Sequence, residues 1–297
     1  MGAPMTDAVL SERRHLINLA YRLLGSLAEA EDAVQEAYAR WYALSRPQQD
    51  AIASPGAWLT TVTSRICLDL LGSARARRER YVGEWIPEPL PDPAEGHTAD
   101  PADRVTLDES VSMAFLVALE SMTPAQRVAL VLHDVFRYSF AEIAEITGRT
   151  TAACRELASS ARRRVRTAQP PAVLAVHRAG LVRDFKQAWE AQDITALVGL
   201  LDPAATFTAD GGGLVSTALH PIEGGEQIAG FLVAVATGVA GGFTIFERTV
   251  NGQPGLLVQQ DGVTSSVYAF DIADDRITRI WAVRNPEKLR PWTTAAR

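Results

Sequence analysis

The sequence predicts a multidomain chain in which two all-α helical domains are followed by an α+β domain. Three observations predict it. Helical periodicity and capping signals fill residues 8–168, and a Pro- and acid-rich stretch at 76–106 interrupts them. Beyond 201 come short β-rich runs with Gly, Asn-Gly and Asp-Asp turns. At 297 residues the chain can hold two or three domains with cores of their own. Apolar residues make up 47% and charged residues 22%, a composition typical of soluble globular proteins. No apolar run approaches the roughly 18 residues of a membrane span. The opening "MGAPMTDAVLSERRHL" lacks the basic-then-apolar layout of a secretory signal, so a cytoplasmic location without membrane contact is expected.

Residues 8–75 form the first helical domain. The stretch 21–44 places Leu23, Leu27, Val34, Tyr38 and Trp41 near one stripe at helical spacing. Glu29, Asp32, Gln35, Glu36 and Arg40 fall mostly on the other side. Ser54 before Pro55 is a helix-start signal, and the helix after it runs through "AWLTTVTSRICLDLLGSAR". Residues 76–106 read as a linker, because closely spaced prolines remove amide donors and the acids discourage collapse.

Residues 107–168 form the second helical domain. Leu107, Val111, Phe115 and Leu119 recur at four-residue steps. Thr123 to Gln126 and Ser139 to Glu142 are capping boxes, Gly148 supplies a left-handed stop, and Thr150 caps the last helix. Pro170-Pro171 ends the segment. Helices continue to about 201, and the remainder of 172–297 is expected to form a curved antiparallel sheet.

Net charge is −6, which argues against a general nucleic-acid coat protein. The charge is nevertheless uneven. Arg149, Arg155, Arg162, Arg163, Arg164 and Arg166 stand against Glu156 alone, and Arg75, Arg77, Arg78 and Arg80 against Glu79. Two local basic patches imply a localised anion contact. The helices near 140–147 and 151–166, joined by a short Gly-containing turn, fit a helix-turn-helix. Cys154, Ala158, Ala161 and Val165 would form the packed side of the second helix. Thr151, Ala152, Arg155, Glu156, Ser159, Arg162 and Arg163 would face base edges and phosphates, where Arg suits guanine O6 and N7 and Glu accepts from cytosine N4. Cys67 and Cys154 lie far apart inside helical patterns, so they are expected as small core residues. No metal site or cofactor is expected.

The order of parts adds specificity. "AEDAVQEAYARWY", then "PGAWLTTVTSRICLDLLGSARARR", an acidic linker and a helix-turn-helix resemble the extracytoplasmic-function (ECF) sigma factors of bacterial RNA polymerase. The resemblance covers about residues 8–168. It implies core RNA polymerase and promoter DNA as partners, with sigma-2-like and sigma-4-like domains. On it, Asp32, Gln35 and Glu36 would contact the polymerase. Trp58, Arg65, Asp69, Arg75, Arg77 and Arg78 would lie along the surface that reads and melts the −10 element, and the helix-turn-helix would read the −35 element. Arg65 stands where many relatives show Asn, and "TTAACRELASSARRR" departs from their usual −35 helix.

That departure resembles one ECF group with a long C-terminal extension of SnoaL-like (NTF2-like) cone fold. Its motifs match "EWIPEPL" at 84–90, Asp210-Gly211-Gly212-Gly213, and Asn285-Pro286-Glu287-Lys288-Leu289, with Leu214 where the group usually has Lys. The resemblance implies that the extension folds onto the linker, through Trp85, Pro87, Glu88 and Pro89, and onto the −10-binding domain, and so regulates the sigma domains. It leaves the extension open to a small-molecule or protein effector. Two other readings stay open. One is a pocket enzyme fused to a DNA-binding module, using Asp210 with His220 or His177 as an acid–base pair. The other is a polymerase-independent repressor.

Overall fold

The computed structural model describes residues 12–78, 81–92, 111–168, 175–238 and 242–293. The chain divides into two compact units. The first holds residues 1–79, 99–106 and 118–167; the second holds 80–98, 107–117 and 168–297. The two predicted helical segments thus share one unit. The boundary near 117 falls inside a helix of the segment predicted as the second domain.

The first unit is helical. Helices α1 (Arg13–Leu24) and α2 (Leu27–Ala43) occupy the stretch read as one helix over 21–44. Gly25 interrupts it at φ 71°, a left-handed cap, and Ser26 then caps α2 by accepting from the Glu29 amide. Leu23, Val34, Tyr38 and Trp41 are buried as the stripe predicts, whereas Leu27 at the new helix start is half-buried. A short helix α3 (Arg46–Asp50) precedes α4 (Pro55–Arg78), which Ser54 caps through the Ala57 amide.

Helix α5 (Met113–Glu120) leads to α6 (Pro124–Leu130), which continues as a π-helical turn over Val131–Val135. Both predicted capping boxes form, the second opening α7 (Phe140–Thr147). Gly148 at φ 64° stops α7, and Thr150 caps α8 (Thr151–Ala168) through the Ala153 amide. Cys154, Ala158, Ala161 and Val165 are buried, as periodicity predicts.

Within this unit the two helical segments are joined by a buried polar bond and by ring contacts. Arg127 on α6 donates to the Leu23 carbonyl at the end of α1 (2.9 Å) and to Glu120 (2.7 Å). His15 on α1 meets the Phe136 ring edge-on at 5.2 Å, and Arg22 lies over the same ring.

The second unit is α+β. Helices α9 (Ala175–Glu190) and α10 (Ile194–Leu200) precede β1 (Leu201–Asp210), β2 (Ile222–Glu223) and α11 (Gly225–Gly238). Strands β3 (Thr244–Val250), β4 (Gln253–Gln260), β5 (Val263–Ala273) and β6 (Arg276–Val283) then run as a meander. Positive-φ turns at Asn251-Gly252, Asp261-Gly262 and Asp274-Asp275 connect the meander, as the turn signals predict. The sheet order is β2-β1-β6-β5-β4-β3. It is mixed rather than wholly antiparallel. β1 enters before α11 and the meander returns β6 beside it in the same direction, a crossover that hairpin signals do not encode.

Alternation along the strands loads both faces of the sheet. Leu256, Val258, Tyr268, Phe270, Ile280 and Ala282 pack with α9, α10 and α11. Leu257, Val267, Ala269, Trp281 and Val283 form a second cluster on the opposite face. Ile86, Met113, Leu289 and Trp292 cover that second cluster.

Burial lowers the His15 imidazole below its usual pKa, with Arg22 adding to the effect and Glu12 opposing it. Between that lowered value and 6.5 the unfolded chain binds the extra proton, so stability rises with pH and is lost as pH falls below 6.5. A His15→Gln variant should therefore show a flatter dependence of urea midpoint on pH between 5 and 7.

Candidate functional site: a buried carboxylate and a DNA-facing helix

A dense polar constellation in the second unit surrounds Asp210, the last residue of β1. Its side chain is fully buried. Oδ1 accepts from the Tyr81 hydroxyl (2.6 Å) and the Gly212 amide (3.0 Å). Oδ2 accepts from the Ile86 amide (2.9 Å) and Lys288 Nζ (2.7 Å). The backbone carbonyl of Asp210 also accepts from the amides of Arg284 (2.7 Å) and Asn285 (3.0 Å). A buried carboxylate is tolerable only when paired and hydrogen-bonded, and every lone-pair direction is used here.

Each neighbour is held in turn. Lys288 donates also to the Ile86 carbonyl, and its ammonium sits 4.0 Å from the Trp85 ring centroid, a cation–π contact. Asn285 donates through Nδ2 to the Tyr81 hydroxyl (2.9 Å). Burial and the adjacent Asp210 carboxylate push the Tyr81 hydroxyl well up, so it stays a donor. Farther along the segment, Leu90 exchanges bonds with Asn251: its amide donates to Oδ1 (3.0 Å) and its carbonyl accepts from the Asn251 amide (2.9 Å). Trp292 Nε1 donates to the Pro89 carbonyl (2.8 Å), and Pro91 bridges Val250.

The glycines are steric requirements. A Cβ at Gly212, where φ is +65°, would lie 2.4 Å from Asn285 Nδ2, and one at Gly213 would meet Val82 at 3.0 Å. A Cβ at Gly211 would strike the Val215 carbonyl at 2.4 Å. The three motifs singled out in the sequence therefore meet at one site. Pro87, Glu88 and Pro89 are buried, Trp85 is half-buried, Leu289 is buried, and Pro286 and Glu287 are exposed. Sequence reasoning missed Tyr81, Asn251 and Trp292. Asn251 read only as a turn residue, and nothing marked Tyr81 apart from its place before the Trp-containing stretch.

The proposed acid–base pair does not converge. His177 is exposed and pairs with Asp275 (2.8 Å), His220 is exposed, and Asp210 is enclosed by its four donors.

In the first unit, Ala152, Arg155, Glu156, Ser159 and Arg163 on α8 are exposed and Thr151 is half-buried. Arg162 differs from the prediction. Its guanidinium forms a bidentate pair with Asp134 (2.6 and 2.7 Å), bracing α8 on the π-helical turn. Arg65 donates to the carbonyls of Glu145 (2.8 Å) and Ile146 (3.4 Å), the C-terminal end of α7. Trp58 is half-buried with its ring edge-on to Trp41 at 5.3 Å, a packing contact, and Asp69 is exposed. The side chains of Arg75, Arg77 and Arg78 lie outside the described residues. Asp32, Gln35 and Glu36 line the exposed face of α2, where Glu36 pairs with Arg40 (2.9 Å). Cys67 and Cys154 are both buried, and burial pushes the Cys67 thiol up.

Comparison with known proteins decides the family. The Sigma-70 region 2 model matches residues 8–77, and the Sigma-70 region 4 model matches 112–165. The chain is 39% identical over 290 residues to the ECF RNA polymerase sigma factor SigJ of Mycobacterium tuberculosis, covering 93% of this chain and 90% of the relative. This chain belongs to the ECF RNA polymerase sigma factors. The sigma factor is also 34% identical to a probable ECF sigma factor, SigI, of the same species, over 97% of this chain and 96% of that one. The crystal structure of M. tuberculosis SigJ matches with a TM-score of 0.76 at 35% identity, covering 96% of this sigma factor and 98% of that chain. The likeness thus spans the C-terminal unit as well as the helical regions.

Removing Lys288 would leave the Asp210 carboxylate buried without its cation. A Lys288→Met variant should lose about 3–5 kcal/mol in urea unfolding of the sheet unit, and adding Asp210→Asn should restore part of that loss. Gly212→Ala should destabilise the same unit, since its Cβ displaces Asn285.

Proposed function

We propose that this sigma factor binds core RNA polymerase through Asp32, Gln35 and Glu36 on α2 and directs promoter-specific initiation. Helix α4 with Arg65, Asp69 and the basic run Arg75, Arg77 and Arg78 serves the −10 element. Thr151, Ala152, Arg155, Glu156, Ser159 and Arg163 on α8 serve the −35 element. The observation that carries this reading is the two-sidedness of α8. Cys154, Ala158, Ala161 and Val165 are buried while Arg155, Glu156, Ser159 and Arg163 stand open. That suits entry into a major groove, where phosphate attraction supplies affinity and base edges supply specificity.

The C-terminal unit acts in cis as a regulatory domain and not as an enzyme. What supports this is the enclosure of Asp210 by segment 81–92, which removes the best acid–base candidate from solvent and ties the chain between the sigma regions to the sheet. The site of action is the cytoplasm, where the polymerase works; no helix among the described residues is long and apolar enough to cross a membrane.

Run-off transcription with purified core polymerase tests the reading, and absence of promoter-specific transcripts from the full chain would refute it. Arg155→Ala should weaken −35 binding by about 1–3 kcal/mol and relax specificity there, measured by binding to promoter variants. Conservative loosening of the Asp210 site, by Asn285→Ser, should change transcript yield while leaving −35 duplex affinity intact. A point variant is the cleaner probe, since cutting the chain near Pro171 would also uncover Ile86 and Met113.

A further inference from the structure

The C-terminal unit holds a second concave feature, on the helix-covered face of the sheet and so opposite the Asp210 site's apolar cluster. It is a cleft with about 60 Å³ of interior space that opens to solvent, so a flat guest extends into its mouth.

Its walls are aromatic. Trp189, Phe207, Phe231, Phe243 and Tyr268 line it. Trp189 packs against Phe243 (5.3 Å) and edge-on to Tyr268 (5.1 Å), and Phe207 tilts against Phe231 (5.3 Å). The Trp189 indole N–H is already bound to the Leu232 carbonyl (3.0 Å), so the ring presents hydrocarbon and π surface to the space. Such walls favour a flat apolar guest that can stack and meet ring edges.

The charge of the lining is one-sided. Among the described residues that line it, Arg284 is the single ionic one and none is a carboxylate. One guanidinium N–H is bound to the Ser216 carbonyl, and among the described residues no acid pairs with Arg284. Gln260 and Ser266 add hydrogen-bonding groups to the same lining. An unpaired cation beside an aromatic enclosure selects for an anionic oxygen, which a guanidinium grips more strongly than a neutral acceptor.

We infer that this cleft binds a compact aromatic carboxylate, its ring between Trp189, Phe231 and Tyr268 and its carboxylate on Arg284. The inference goes beyond the transcriptional reading and does not depend on it, since the lining residues are separate from the Asp210 donors and from α8.

Isothermal titration of the full chain with 2-naphthoate, and with uncharged 2-naphthalenemethanol, tests it. Saturable one-to-one binding of naphthoate is expected, at least tenfold tighter than the alcohol. Arg284→Gln should remove that preference while leaving the weaker binding of the alcohol in place. Val235→Trp, which fills the cleft lining, should abolish binding of both, with circular dichroism and the thermal midpoint confirming that each variant is folded. No saturable naphthoate binding up to millimolar concentration, or binding unchanged in a folded Val235→Trp variant, would overturn the site. A naphthoate preference that survives in Arg284→Gln would overturn the role of the guanidinium.

Discussion

The C-terminal unit depends on one buried charge. Asp210 is fully enclosed at the end of β1, and a carboxylate there is stable only if donors surround it. Those donors come from three separate stretches: Tyr81 and Ile86 from the Pro-rich segment, Gly212 from the turn after β1, and Lys288 from the turn after β6. The parallel pairing of β1 with β6 brings the last two together, because it sets Asp210 opposite Val283. The requirements then propagate. Gly212 must lack a side chain so that Asn285 can reach Tyr81, and Lys288 must be long enough to span Asp210 and Ile86. Three motifs that look unrelated along the chain are parts of one ion-pair site.

The Pro-rich segment shows how composition can mislead about order. Proline density and acids at 76–106 argue for a loose linker, and the described part, 81–92, has no helix. Yet Ile86 and Leu90 are buried, each contributing about 1.5–3 kcal/mol of apolar burial, and Pro87, Pro89 and Pro91 arrive with φ already restricted. A proline-rich strand has less conformational freedom to lose on docking than an ordinary loop, so the same residues that forbid helix favour a bound extended segment.

Local signals were legible where the physics is local. Capping boxes at 123–126 and 139–142, the Gly148 stop and the Asn251, Asp261 and Asp274 turns form as the sequence implies, because each is decided within about four residues. The packed side of α8 was legible for the same reason, since 3.6-residue periodicity needs no partner to be read. The break at Gly25 and the helix α11 within the strand region were not, as an apolar run with one glycine supports either reading. Arg162 and Arg65 were least legible. Both lie at surface positions of basic helices, and their partners, Asp134 and the α7 carbonyls, are brought near by tertiary packing that no spacing rule encodes.

Arg65 also constrains how the proposed promoter reader works. Its guanidinium holds the C-terminal carbonyls of α7, the first helix of the helix-turn-helix, while the same side chain is assigned to the −10 element. One guanidinium cannot hold that helix end and reach the −10 strand at once, so on the proposed reading the two helical segments must part before −10 contact. The exchange is chemically favourable in direction. Helix-end carbonyls carry a partial negative charge of about half a unit, whereas a phosphate carries a full one and accepts a stronger charge-assisted bond. Arginine, with five donors on a long stem, can make either bond, and a shorter neutral amide at this position would lose the reach and the charge. On the proposed reading, Arg65, which departs from the family's usual residue, would link the packing of the helical unit to its contact with DNA.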